Sequence, residues 1–225
     1  LVFFNCSIPQ GVVTAYDRCA LLETDEAQIG RTQGRMAGDF LGYNFDACDV
    51  NGDGVISYAM LKDDGSDAAA ASCTAYAVEA ANVVLACDFG RRAMCFQDDW
   101  AERYAIPAPE GGWTKEAARQ VMLEILKEHD DASGDPVEAI FVNDAAAVAG
   151  VAQALIESGY NTIPNWFIPV FTVGWSDEIG ELLHQGVLNF SAVDNSTSMA
   201  QAICRMIYNA ARDIPVFGGI HVDMN

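Results

Sequence analysis

Residues 49 to 57, Asp-Val-Asn-Gly-Asp-Gly-Val-Ile-Ser, place oxygen-bearing side chains at Asp49, Asn51 and Asp53, then a glycine at position 54 and a hydroxyl at Ser57. Alternating oxygens around a glycine that permits a sharp turn make up the first positions of a calcium-binding loop, with the backbone carbonyl of Val55 as a further donor. Such a set supplies about five of the six to eight oxygens that calcium takes. A helix-loop-helix site draws a bidentate Glu from its twelfth position, which here is Met60. The closing carboxylate must therefore come from elsewhere. Glu138, at the start of the strand-like run Glu-Ala-Ile-Phe-Val-Asn-Asp, is the best-placed candidate because a strand end is rigid, and Asp135 is its rival. The competing reading is an Asx-rich turn ahead of a strand, but a plain turn needs fewer such residues and no alternation.

Catalytic patterns are absent from the sequence. There is no G-x-S-x-G elbow, no glycine-rich phosphate loop opening a helix, and His129, His184 and His221 stand apart without metal-ligand spacing. An enzyme is not indicated. Twelve basic against thirty-two acidic residues leave a net charge of −20, which repels phosphate backbones and anionic lipid and attracts divalent cations. Nucleic acid is therefore not expected as a partner, and a regulator's basic helix-turn-helix segment is missing. No apolar run in the sequence reads as a membrane-spanning segment, so membrane insertion is not expected. No charged region followed by a signal-type apolar segment opens the chain. Seven cysteines without a C-x-x-C pair indicate neither a zinc ribbon nor a complete disulfide framework. They read as buried free thiols, with one or two bridges, such as Cys6 to Cys19, as the alternative.

The elements that must position the loop follow from hydrophobic periodicity. Short apolar runs at LVFFN (1–5), RCALLETD (18–25), VISYAMLK (55–62), VEAIFVND (137–144), IPVFTVG (168–174) and LNFSAVDN (188–195) predict buried strands. Between them, EAQIGRTQGRMAGDFLGYN, the alanine-rich SDAAAASCTAYAVEAANVVLAC, WTKEAARQVMLEILKEHDD, AAAVAGVAQALIESG, SDEIGELLHQG and STSMAQAICRMIYNAARD predict helices. RRAMCFQDDW reads as a further strand and IPAPEGG as a loop. Strands alternating with helices predict a doubly wound, parallel α/β fold, in which ligands sit past the carboxyl ends of strands. That rule marks Asn5, Asp63, Asp64, Asp144, Gly174 and Asp194 for inspection.

Taken in order, LVFFN, YDRCALLETD, DVNGDGVISYAMLK, CTAYAV, GGWTKEAARQVM, VEAIFVNDAAAVAGVAQAL and IPVFTVG resemble the periplasmic glucose/galactose-binding proteins of bacterial ABC transport and chemotaxis, within the type I periplasmic binding proteins. The resemblance runs across nearly the whole chain. It implies two lobes of parallel sheet, joined by three crossings, that close on a sugar. Residues 26–194 would form a complete C-terminal lobe carrying the calcium site, and 1–25 with 195–225 a partial N-terminal lobe lacking its first strand-helix units and final strand. The resemblance also implies Ca2+ as cofactor, held by Asp49, Asn51, Asp53, the Val55 carbonyl, Ser57 and Glu138. It implies a monosaccharide or related small polar solute, an ABC permease and a chemoreceptor as partners, and export to the periplasm or beyond.

For the solute, Asn5 matches a sugar-contacting Asn and Trp113 an aromatic that stacks on a pyranose. Asp144 and Asp194 stand where the family has Asn, Asp67 where it has His, Ala69 and Gly174 where it has Asp, and Cys73 where it has an Arg. Without that guanidinium, the remaining Asp67, Asp144 and Asp194 suit a donor-rich or cationic solute better than the family's usual hexose. A receptor that keeps its calcium loop but binds no sugar is the alternative.

Overall fold

A computed structural model describes residues 1–4, 8, 10–15, 20–94, 105–130, 132, 134–162, 167–212 and 214. The chain divides into two compact units, one made of Leu1–Asp25 with Asp194–Asn225, the other of Glu26–Val193. Asp194, expected at the end of the larger lobe, falls in the smaller unit.

The larger unit is built on five parallel strands: β3 (Tyr58–Lys62), β4 (Ala105–Pro107), β5 (Ala139–Val142), β6 (Val170–Val173) and β7 (Phe190–Ala192), in the order β4-β3-β5-β6-β7. The first strand of the unit thus lies between the second and the third, so the strand order reverses between β3 and β5. That is the switch point of a doubly wound sheet. The central strands are buried on both faces and their residues alternate between two cores. Tyr58, Met60, Ala139, Phe141 and Phe171 face α2 (Glu26–Tyr43) and α4 (Ala68–Phe89), while Ala59, Leu61, Ile140, Val142 and Val170 face α5 (Lys115–Glu128) and α6 (Ala145–Glu157). Burial on both sides is why these strands read as continuous apolar runs.

Two expectations about segments need correction. Ala105–Pro107, part of which reads as loop, is edge strand β4, where Pro107 is tolerated because an edge strand leaves one row of N–H groups unpaired. Arg91 to Met94, read as the start of a strand, adopt neither helix nor strand, and 95–104 lie outside the described residues.

α2 carries Gly30, Gly34, Gly38 and Gly42 at four-residue intervals, which form one stripe facing α4. A Cβ at Gly30 would lie 2.1 Å from the Cys73 carbonyl oxygen, and one at Gly34 2.1 Å from that of Ala77. The two helices touch backbone to backbone, and Ala77 and Ala81 complete the seam. This packing also accounts for α4. By length and composition alone, Ala68–Phe89 is apolar enough to cross a membrane, contrary to the reading of its sequence, because alanine raises its hydropathy. In the fold its alanines form a helix-packing seam.

In the smaller unit, β1 (Val2–Phe4) pairs in parallel with β2 (Ala20–Leu22). α1 (Gln10–Thr14) lies between them in sequence. α8 (Ser196–Ala211) packs Ala202 and Met206 against Ala20 and Leu22.

Candidate metal loop and solute-facing edge

The loop from Asp49 to Ser57 follows a short helix, α3 (Phe45–Cys48), and enters β3 at its amino end. Its side-chain oxygens hold its own backbone. Asp49 accepts from Asp53 N at 3.1 Å and Gly54 N at 3.0 Å, Asn51 from Asp53 N at 3.0 Å, and Asp53 from Val55 N at 2.8 Å. Gly52 and Gly54 turn the chain at φ +73° and +79°, a region other residues adopt only with strain.

Glu138 closes the loop from across the sheet. Because Tyr58 pairs with Ala139, the residue before β5 sits beside the residue before β3. Glu138 is 1% exposed, and its carboxylate accepts from Val50 N at 2.6 Å, Asn51 N at 3.4 Å, Ser57 N at 2.8 Å and Ser57 Oγ at 3.3 Å. The Ser57 hydroxyl also donates to the Pro136 carbonyl. Burial pushes the Glu138 carboxyl above its ordinary value, the three N–H groups pull it back, and the Asp49 charge adds to the rise. Burial and then the Glu138 charge push the neighbouring Cys48 thiol up to about 11. Asp135 is also raised, by burial and by the Asp53 charge, against the opposing influence of His129. Its Oδ2 lies 3.8 Å from His129 Nδ1.

Among the described residues, no group of three or more His, Cys, Asp and Glu side chains is spaced to hold a metal by itself. A hard cation here needs the neutral oxygens of Asn51, Val55 and Ser57 in addition to the carboxylates. Such a donor set, all oxygen and carrying excess negative charge, is of the kind calcium takes.

The opposite end of the sheet, at the carboxyl ends of the strands, is polar. Asp63 follows β3 by one residue and accepts from Gly65 N at 3.2 Å through Oδ1, while its Oδ2 is buried and has no hydrogen-bond partner. Asn143, directly after β5, accepts from Gln33 Nε2 at 2.7 Å and donates to Thr74 Oγ1 at 3.2 Å. Gln33 is 2% exposed and also donates to the Phe171 carbonyl at 3.0 Å, so an amide from α2 links the residue after β5 to a carbonyl within β6. Asp67 and Asp144 cap α4 and α6, accepting from Ala69 N and Ala146 N at 2.8 Å. Past β6, Gly174 has φ +84° and is followed by Trp175.

Of the other expected contacts, Trp113 borders this edge at the end of β3 but is buried. It is 6% exposed, packs in the α5–α6 core and donates its indole N–H to the Lys62 carbonyl at 2.7 Å. Asp194, exposed in the smaller unit, accepts from Thr24 Oγ1 at 3.3 Å. Asn5, Cys6, Cys19 and Cys95 lie outside the described residues. Cys48, Cys73, Cys87 and Cys204 form no disulfide; Cys48 and Cys73 are buried as expected, whereas Cys87 and Cys204 are exposed.

The profile of a family described as periplasmic binding protein domain matches residues 2–213. The chain belongs to that family. As a periplasmic binding protein domain it shares its fold with solved sugar-binding structures. A glucose-galactose binding protein from Geobacillus stearothermophilus matches at TM-score 0.59 and 17% identity over 94% of this chain and 61% of that one. An ABC transporter solute binding protein from Clostridium phytofermentans with bound β-D-glucose matches at 0.59 and 18% over 90% and 58%. A sugar-binding protein of a sugar ABC transporter from Bacillus halodurans matches at 0.65 and 13% over 95% and 59%. The chain therefore spans about three fifths of these structures.

Within the periplasmic binding protein fold, the loop donors and Glu138 lie at one end of the larger unit's sheet, and Asp67 and Asp144 at the other. Gln33, Asn143 and Trp175 escaped sequence reasoning. No motif marks them, and only the order of the strands brings them to one edge.

Proposed function

We propose that this chain is the solute-binding part of an extracytoplasmic sugar-binding protein of glucose/galactose type. Its partner is an ABC permease, with a chemoreceptor as a further one, and it performs recognition without a catalytic step. We further infer that Ca2+ occupies the loop, with Asp49, Asn51, Asp53, the Val55 carbonyl, Ser57 and Glu138 as ligands. The observation that carries this reading is the buried Glu138 carboxylate meeting the Asp49–Ser57 loop across β3 and β5, the arrangement that the resemblance implies for this type. Placed at the amino ends of the strands, away from the polar edge at the other end, such an ion supports the fold and takes no part in solute contact.

The edge itself supports a donor-rich solute, since Asp63, Asp67 and Asp144 present acceptors there. A second reading is favoured by Cys73, which is buried where the resemblance calls for an Arg, and by the buried Trp113. On that reading the chain retains its calcium loop and binds no hexose. Thermal melting separates the two, because any ligand that prefers the native state raises its stability, by about 2.7 kcal/mol at one hundred times Kd. A shift with D-glucose or D-galactose as well as with calcium supports the receptor reading. A calcium shift without any sugar shift supports the second.

A further inference from the structure

Two tryptophans of the larger unit, Trp113 and Trp175, differ sharply in exposure. Trp113 is enclosed by the core and its N–H is bonded to a backbone carbonyl. Trp175, two residues past β6, is 62% exposed. Its ring is nevertheless seated, because a Cβ added at Gly180 in α7 (Asp177–His184) would lie 2.9 Å from ring carbons Cη2 and Cζ2. A glycine inside a helix is unfavourable relative to alanine, and here it opens a slot under an indole that remains more than half in solvent. An exposed tryptophan held in this way gains little from packing and is pre-positioned for an apolar surface.

Its surroundings are specific. β3, β5 and β6 are neighbours, so the residues past their carboxyl ends span roughly 10 Å at the usual strand spacing. Along that span lie Asp63, with the buried and unpartnered Oδ2, then Asp144, then Trp175. Acceptors beside an aromatic face suit a ring that offers C–H groups on one side and hydroxyl or ammonium donors at its rim.

We propose that Trp175, held by Gly180, is the aromatic platform of the solute site in the larger unit, and that it takes the apolar face of a single-ring, donor-rich solute whose rim faces Asp63 and Asp144. This deepens the solute-binding reading and rests on it. Stacking on Trp175 needs no Arg at position 73 and no exposed face of Trp113.

The test is isothermal titration of the full chain with D-glucose, D-galactose and D-glucosamine. The expected result is binding of at least one probe, a tenfold or larger weakening in Trp175→Ala, and recovery of most of the affinity in Trp175→Phe. Gly180→Ala supplies the readout that a structural role would not move. Alanine is the better helix former, so the melting temperature should hold or rise, while the displaced indole weakens the same probe severalfold. Binding that Trp175→Ala and Gly180→Ala leave unchanged overturns the platform and leaves the solute-binding reading standing. Failure of the wild type to bind any of the three overturns both.

Discussion

Replacing Glu138 by Gln keeps the side chain's shape and removes one oxygen and the charge. In the wild type, Oε1 accepts from Val50 N at 2.6 Å and Asn51 N at 3.4 Å, and Oε2 accepts from Ser57 N at 2.8 Å. A glutamine can keep the Val50 side, but its NH2 then faces the Ser57 N–H, a donor against a donor in a site 1% exposed. Losing a bond to a charged acceptor removes about 1.5–3 kcal/mol, and leaving a buried N–H unpaired costs about 1–3 kcal/mol. Removing a charge that burial and Asp49 both disfavour offsets part of this. The net expectation in chelator is a loss of about 2 kcal/mol, or a melting temperature lower by about 4–8 °C for a chain of this size. With calcium at one hundred times Kd, the wild type should gain about 2.7 kcal/mol. On the proposed ligand set, in which Glu138 closes the coordination shell, the variant should gain little of it. Differential scanning calorimetry of both proteins, in EDTA and in calcium, measures the four values. Asp135→Asn is the control and should keep the calcium shift. If the wild type melts at the same temperature in EDTA and in calcium, the metal assignment is refuted and Glu138 acts through its hydrogen bonds alone. If Asp135→Asn abolishes the shift and Glu138→Gln does not, the closing ligand has been misassigned.

Further outcomes follow from the packing and the titrating groups. Gly34→Val should lower stability by about 1–3 kcal/mol or more in a urea melt, since its Cβ must displace the Ala77 carbonyl of α4, 2.1 Å away. An unchanged midpoint would mean that the two helices do not meet on that stripe. With a thiol held at about 11, only about one Cys48 in a thousand is ionised at pH 8, so it should resist alkylation there. Peptide mapping after iodoacetamide should find the exposed Cys87 and Cys204 labelled, and Cys48 labelled only once the chain unfolds. The Arg119 guanidinium, bonded to Glu157 at 2.7–3.1 Å, holds that carboxyl below its ordinary 4.5. The unfolded chain then binds more protons in that range, so the stabilisation from this pair is present above pH 4.5 and disappears as pH falls through the lower folded value. A double-mutant cycle with Arg119→Met and Glu157→Gln should show a favourable coupling at pH 7 that vanishes in strong acid.

Much of the larger unit was legible in the order of residues. Strands buried on both faces announce themselves as unbroken apolar runs, and Ala139–Val142 and Val170–Val173 lie within the predicted segments. β4 was not legible. Three residues ending in Pro107 carry no periodicity, and only pairing with β3 makes them a strand. The glycines of α2 lower its helix propensity when read locally, and their reason appears only when α4 lies against them. For the candidate site, the loop donors are local and their alternation is visible, whereas Gln33 and Asn143 lie 110 positions apart and met only through the fold.

The local chemistry of the calcium-type loop was written in nine consecutive residues, because alternating oxygens and two glycines with positive φ are properties of neighbours in the chain. Its lack of a Glu at Met60 was also local, and it called for a partner from elsewhere, with Glu138 the better placed and Asp135 its rival. The tertiary structure brings Glu138 to the backbone of the loop, since parallel register sets Tyr58 beside Ala139 and so puts the residue ahead of β5 against it. It likewise decided that Trp113 is core and Trp175 is surface. Exposure depends on which helix and strand cover a ring, and no stretch of sequence around either tryptophan records that.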